Sequence, residues 1–302
     1  MMSAMNINTP STSNMRDEAA IKTLVESVAI LADSGQFETL EQHYAEEIHV
    51  DYTSLAGGEP ELKSPQALIS QWAAVLPGFE RTRHALSNIK VQLEDDHAIA
   101  TADVVADHYL GEQHWQVSGH YRYRFIKDAG HWLISAAQFN LKNEVGSRDI
   151  FATAIEKAQV EPPSYLKRQV TIQTVQRFLK ALEDHDMDTF NSLWADDAIQ
   201  DMPYSPPGHP TRVLGKANIV ALYAQWPENS ANANFTEQLK LYPMQDPETL
   251  FVEYQGRVDI VPTGRRYQQS YGGIFHVVNG KIQLFREYFD PAPFAWAFDL
   301  KP

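Results

Sequence analysis

The segment IHVDYTSL, residues 48–55, ends an apolar run on a carboxylate and a phenol side by side, Asp51 and Tyr52. A phenol can donate to a carbonyl oxygen on which charge develops, so Tyr52 is a candidate catalytic residue, and Asp51 beside it is either a substrate contact or a structural group. A similar segment recurs at residues 198–205, AIQDMPYS, where Asp201 is followed by Met202. His43 and His49 lie close to Asp51, but no third ligand at tight spacing joins them, which argues against a metal site. The chain has no cysteine, so disulfides, thiolate catalysis and Cys-type zinc sites are excluded. It has no glycine-rich phosphate loop and no Gly-x-Ser-x-Gly, so no cofactor is expected and serine hydrolysis has no support.

The elements that must hold these residues occur twice. Residues 36–51 (QFETLEQHYAEEIHVD) lie over residues 186–201 (DMDTFNSLWADDAIQD) without a gap, at an offset of 150. Leu40 meets Phe190, Tyr44 meets Trp194 and Asp51 meets Asp201. The same offset lays FIKDAGHWLI (125–134) over FHVVNGKIQL (275–284). Two copies of one domain follow. The division reads as a disordered tail at 1–16, a first domain at 17–160, a stiff linker at 161–168 around Pro162-Pro163, and a second domain at 169–302.

Within each copy the hydrophobic period is first helical, then alternating. Ile21, Leu24, Val25, Val28 and Leu31 share a helix face, as do Val175, Phe178, Leu179 and Leu182. A shorter helix holds Phe37, Leu40 and Tyr44, or Met187, Phe190 and Trp194. A third opens at Ser64-Pro65, a cap residue before a proline, with a counterpart near Gly215-Lys216. HAIATADVVADHYL (97–110) and HWQVSGHYRYRF (114–125) then alternate as strands. The fold class is α+β: two tandem domains, each with three helices on one face of a curved antiparallel sheet.

At 302 residues, the length suits two domains, and 43% hydrophobic residues can fill a core in each. A net charge of −14 argues against nucleic acid and against an anionic membrane surface. No apolar run is long enough to span a bilayer, and no signal peptide is evident, so a cytoplasmic location is expected.

Residues 175–203, VQRFLKALEDHDMDTFNSLWADDAIQDMP, resemble the opening of the SnoaL-like and ketosteroid-isomerase-like families of the nuclear transport factor two superfamily. The resemblance extends over most of the chain. It implies cystatin-like cones with an internal pocket, and a small apolar ligand of polyketide or steroid type. The first copy is more specifically similar to scytalone dehydratase, through Asp33, Asp51-Tyr52 in VDYTSL, His84 in TRHALSN and His108 in ADHYL. That similarity implies that Asp33 orients His84 or His108, that these histidines handle protons, and that Tyr52 holds a carbonyl. Asp51, Trp115 and Tyr121 would contact substrate in the first copy, and Tyr254 and Tyr271 ligand in the second.

There are departures. A second tyrosine of the dehydratase falls on Ala32, and a serine and an asparagine of its pocket strand fall on Gly119 and Tyr121. In the second copy His84 aligns near Asn234-Phe235 and His108 falls on Val258, while the isomerase tyrosine and base positions are Phe178 and Met202. The second copy therefore reads as non-catalytic. The favoured function is a cofactor-independent dehydratase or isomerase in the first domain. The alternatives are a binding protein with two hydrophobic pockets, or an assembly role with both pockets filled. Asp51 and Asp201 recur in both copies, as a structural pair would. Relatives that pair as dimers suggest an intrachain pseudo-dimer here, leaving the chain a monomer.

Overall fold

The computed structural model describes residues 12–300, and the chain divides into two compact units between Tyr165 and Leu166. The first begins with α1 (Thr12–Asp33), α2 (Phe37–Glu41), β1 (Tyr44–Asp51), the helical turn α3 (Thr53–Ala56), β2 (Glu61–Lys63) and α4 (Pro65–Ala73). Four long strands follow, β3 (Arg81–Glu94), β4 (His97–Leu110), β5 (Gln113–Asp128) and β6 (His131–Val145), and then α5 (Ile150–Val160). Residues 12–16, expected in a disordered tail, are helical, because they continue the turns of α1; the rest of that tail lies outside the described residues. No described helix is long and apolar enough to cross a membrane.

The apolar spacing of α1 buries Ile21, Val25 and Val28. α4 starts where its cap signal stands: Ser64 Oγ accepts from the Ala67 N–H at 3.2 Å, and Pro65 takes the first helical position. Tyr44 and Trp194, expected on the second helix, instead open strands. The helix before each is only five or six residues long, and an aromatic side chain reaches the core as readily from a strand.

The first sheet has the order β2-β1-β6-β5-β4-β3. Its strands pair antiparallel except β1, which runs parallel to β6, so the sheet is mixed. Irregular register at Ser87, Ser118 and Arg124 marks bulges, which bend a sheet. α1 packs along β3 and leaves a hollow between helix and sheet.

The second unit repeats the plan with α6 (Ser164–Glu183), α7 (Met187–Ser192), β7 (Trp194–Asp201), β8 (Arg212–Leu214), α8 (Lys216–Tyr223) and α9 (Trp226–Asn229). Then come β9 (Ser230–Asn234), β10 (Lys240–Pro243), β11 (Thr249–Ile260), β12 (Arg265–Val278), β13 (Lys281–Tyr288) and α10 (Pro291–Ala297). α6 thus starts inside the segment expected as a linker. The sheet order is β10-β11-β12-β13-β7-β8, and β13 runs parallel to β7. Where the first unit has one long edge strand, β3, the second has two short ones, β9 and β10, both on β11. Gly35 and His185, 150 apart, both take left-handed backbone at the turn after the first long helix, with φ 69° and 56°. On the last strand the correspondence changes. Asp51 pairs with Gln138 and Asp201 with Arg286, so equivalent residues there are 148 apart. A two-residue shift keeps each side chain on its own face.

Candidate active site

Asp33 is the last residue of α1. Thr82 and His84 lie two apart on β3 and so share a face, and both turn to its carboxylate. Thr82 Oγ1 donates to Asp33 Oδ1 at 2.8 Å, and the His84 backbone N–H donates to Oδ2 at 2.7 Å. His84 Nδ1 lies 2.7 Å from Oδ1. Burial alone would raise the Asp33 carboxyl. The hydrogen bonds from His84 and Thr82, with the charge of the imidazole, outweigh it and hold the group below the ordinary carboxylate value. An ionised Asp33 accepts only, so the proton of a neutral His84 sits on Nδ1. Nε2 keeps its lone pair.

His84 lines a cavity of about 210 Å³, together with His108, Tyr52, Tyr121 and Trp115. The two imidazoles stand edge to face with centroids 5.5 Å apart. His108, on β4, is packed between Phe79 and Trp115, at 5.0 and 4.9 Å. Burial, then the nearby His84, push it down to about 4, so it is neutral at neutral pH. Its Nδ1 is buried without a partner among the described residues.

Tyr52 and Tyr121 face each other with ring centroids 6.5 Å apart. Burial, then the neighbouring phenols Tyr121 and Tyr44, push Tyr52 well above the ordinary tyrosine value. Burial, then the charge of Asp33, push Tyr121 up to about 12. Both therefore stay protonated and can donate. Tyr121 is large, yet it lines the cavity rather than filling it.

Four residues expected to act together thus meet: Asp33 behind His84, with His108 and Tyr52 on the same hollow. Asp51 does not join them. Its carboxylate accepts from Thr53 N and Oγ1 at 3.2 and 2.7 Å and from Gln138 Nε2 at 2.9 Å, tying the turn after β1 to β6. Asp201 does the same with charges, accepting from Arg212 Nε at 2.6 Å and Arg286 Nη2 at 2.9 Å. Trp115 lines the hollow and donates Nε1–H to Glu144 at 2.7 Å. Ala32 lines it without a polar atom. At Gly119 an added Cβ would lie 2.8 Å from the Phe139 ring and 2.3 Å from the Asn140 carbonyl oxygen, so that position admits no serine without a shift.

Tyr254 and Tyr271 line a second cavity, of about 400 Å³, in the second unit. Phe178, Met202 and Phe235 also line it, apolar at the positions to which the family resemblance assigned chemistry. Val258, opposite His108 in sequence, is buried. The sequence reading missed Thr82, whose signal was its place two residues before His84. It also missed Glu287, which lines the second cavity from an inward position of β13.

A SnoaL-like domain model matches residues 13–138, and a second SnoaL-like domain model matches residues 175–285. Protein YesE of Bacillus subtilis (strain 168), itself uncharacterized, is 30% identical over 126 residues, which is 42% of this chain and 85% of that protein. The uncharacterized PhzA/B-like protein PA3332 of Pseudomonas aeruginosa is 28% identical over 113 residues, 37% of this chain and 79% of that protein. Among solved structures, a proposed scytalone dehydratase from Novosphingobium aromaticivorans aligns at 18% identity and a TM-score of 0.41, covering 45% of this chain and 91% of its own.

Proposed function

The chain belongs to the SnoaL-like family, with one such domain in each half, and from that premise we propose that the first domain eliminates water from a small, uncharged, largely apolar β-hydroxy carbonyl compound, or isomerises one, without a cofactor. One observation carries this reading: an imidazole held by a carboxylate opens onto an apolar hollow that also presents two protonated phenols.

The step balances within these groups. His84 Nε2 takes the proton from the carbon beside the carbonyl. The freed electron pair forms an enolate, whose oxygen is held by the Tyr52 and Tyr121 hydroxyls. As the enolate collapses, the bond from the β-carbon to its oxygen breaks, and the leaving hydroxyl takes the proton back from His84 as water. The imidazole ends neutral, and Asp33 stays ionised and keeps the ring in one tautomer. His108 is too weak a base to compete for the proton and serves as a neutral hydrogen-bonding group near the leaving oxygen. For isomerisation the same imidazole returns the proton to another carbon. The lining contains no lysine or arginine among the described residues, which disfavours an anionic substrate. A hollow of about 210 Å³ suits one or two fused rings.

The test is a panel of one- and two-ring β-hydroxy ketones, followed by the ultraviolet absorbance of the conjugated product. The unaltered chain should turn over at least one member. His84→Asn should lose that turnover by at least about a hundredfold while its melting temperature stays close to that of the parent. Undiminished turnover in His84→Asn overturns the assignment. Saturable binding of the panel with no turnover leaves a binding protein in its place.

A further inference from the structure

The second domain holds a titratable group that the first-domain chemistry does not use. Glu287 stands half-buried on β13 and lines the cavity of about 400 Å³. Tyr254 donates its hydroxyl to Glu287 Oε1 at 2.5 Å. Oε2 has no hydrogen-bond partner among the described residues. The other titratable groups around it come from every packed element. Tyr254 is on β11, Tyr223 on α8, Tyr267 and Tyr271 on β12, and His209 in the segment after β7. Tyr223 accepts from Gln200 of β7 at 2.7 Å, and Tyr271 donates to Tyr267 at 2.7 Å. The parts of α6 and α10 that line the cavity add only apolar side chains. No lysine or arginine lines it among the described residues.

We propose that this cavity is a second ligand site, which takes an uncharged, mostly aromatic or alicyclic molecule bearing one hydroxyl or carbonyl, and that Glu287 in its acid form holds that oxygen through a hydrogen bond donated from Oε2. The geometry supports this in three ways. Oε1 is already engaged by Tyr254, so the acid proton is directed to Oε2. The aromatic walls, Tyr254 stacked on Tyr271 at 4.8 Å and 14°, with Phe235 and Phe294 beside them, suit a flat ring. The absence of a cation from the lining disfavours a charged carboxylate and therefore favours the acid form. Burial pushes the Glu287 carboxyl up to about 7, against the opposing hydrogen bond from Tyr254. Affinity for a neutral ligand should accordingly fall as pH rises through neutrality.

The probe is 2-naphthol, a two-ring phenol that stays neutral between about pH 6 and pH 8. It is titrated into the whole chain labelled with carboxyl-13C glutamate. The Glu287 signal is identified by its loss in Glu287→Gln, or by its displacement in Tyr254→Phe if the first variant does not fold. The expected result is a saturable shift of that signal, with affinity about tenfold weaker at pH 8 than at pH 6. Glu287→Gln, isosteric and neutral, should bind at both pH values alike. A Glu287 signal indifferent to saturating 2-naphthol, the same pH slope in Glu287→Gln, or no binding across the range would each overturn the proposal.

Discussion

The two cones keep the same frame and move the titratable side chain that faces the hollow from one wall to another. In each, an acidic residue ends the long first helix and grips the edge of the sheet: Asp33 takes the backbone N–H of His84, and Glu183 takes those of Phe235 and Thr236. In the first domain the gripped residue brings an imidazole into the hollow, and the facing position on the last strand is Phe139. In the second domain the gripped residue is Phe235, and the position equivalent to Phe139 is Glu287. The helix-end acid therefore ties helix to strand in both domains, and under the proposed function it also positions a base where a histidine stands beside it. On the two proposals above, the histidine–aspartate pair would act as the base of the first domain, and the enclosed carboxyl, with no cation in its lining among the described residues, as the acid of the second.

The largest effect that would break this comparison is on turnover. Asp33→Asn keeps the side-chain size and loses the charge that fixes the His84 tautomer. We expect kcat on a β-hydroxy ketone substrate of the first domain to fall about a hundredfold or more. The backbone N–H of His84 still has an acceptor in the asparagine oxygen, so the denaturant midpoint should move little. Equal turnover in Asp33→Asn would mean that the acid is a fold device in both halves.

In the second domain the matching acid should matter for stability alone. The Glu183 carboxylate accepts from Phe235 N, from Thr236 N at 2.7 Å and from Thr236 Oγ1 at 2.9 Å, and its side chain is 7% exposed. Glu183→Ala strands these donors and should cost about 3 kcal/mol, read as a lower denaturant midpoint for the second domain. A loss under about 1 kcal/mol would show that β9 and β10 are held by the sheet without it.

A smaller effect separates Glu287 from Phe139 by pH. The folded carboxyl sits at about 7, above its ordinary 4.5. Between those values the folded state holds a proton that the unfolded state has released, so stability falls as pH rises from about 4.5 to 7 and is level above. The full shift would amount to about 3 kcal/mol, and the open cavity side reduces it to about 2. Glu287→Gln should remove that slope from the second-domain unfolding curve. A slope unchanged by the substitution would place the titrating group elsewhere. Asp33 has the opposite sign: held low in the fold, it contributes stability above its unfolded value that is lost as acid protonates it.

Much of the frame was legible because it is local. Helix faces, the Ser64-Pro65 cap, strand alternation and the offset of 150 depend on neighbours in sequence. The meeting of Asp33 with His84 was reachable only through family resemblance, since nothing in residues 33 to 84 encodes a contact across α1 and β3. Three things stayed hidden. The two-residue change of offset on the last strand leaves alternation intact, so no pattern reports it, and it concealed that Glu287 replaces Phe139. Tyr44 and Trp194 fit a helix face and a strand face equally well. Asp51, adjacent to Tyr52, must by strand alternation point away from it, and its partners Thr53 and Gln138 explain its position without a ligand.

The smallest contrast concerns how the third helix starts in each domain. α4 has a side-chain cap, the Ser64 hydroxyl on the Ala67 N–H, on extended backbone at φ −74°. α8 begins after Gly215 at φ 81°, with no side-chain cap. Ser64→Ala should cost the first domain about 1 kcal/mol. The reciprocal change, Gly215→Ser, should gain nothing. A serine there must adopt an extended backbone at positive φ that is essentially confined to glycine, at a cost of about 1–3 kcal/mol, and its hydroxyl would be directed differently from that of Ser64. Urea unfolding of the two variants should therefore move the first-domain midpoint down and leave the second-domain midpoint level or lower. A rise in Gly215→Ser would mean that the start of α8 can relax to the extended geometry of α4, and that the two helix starts differ by sequence alone.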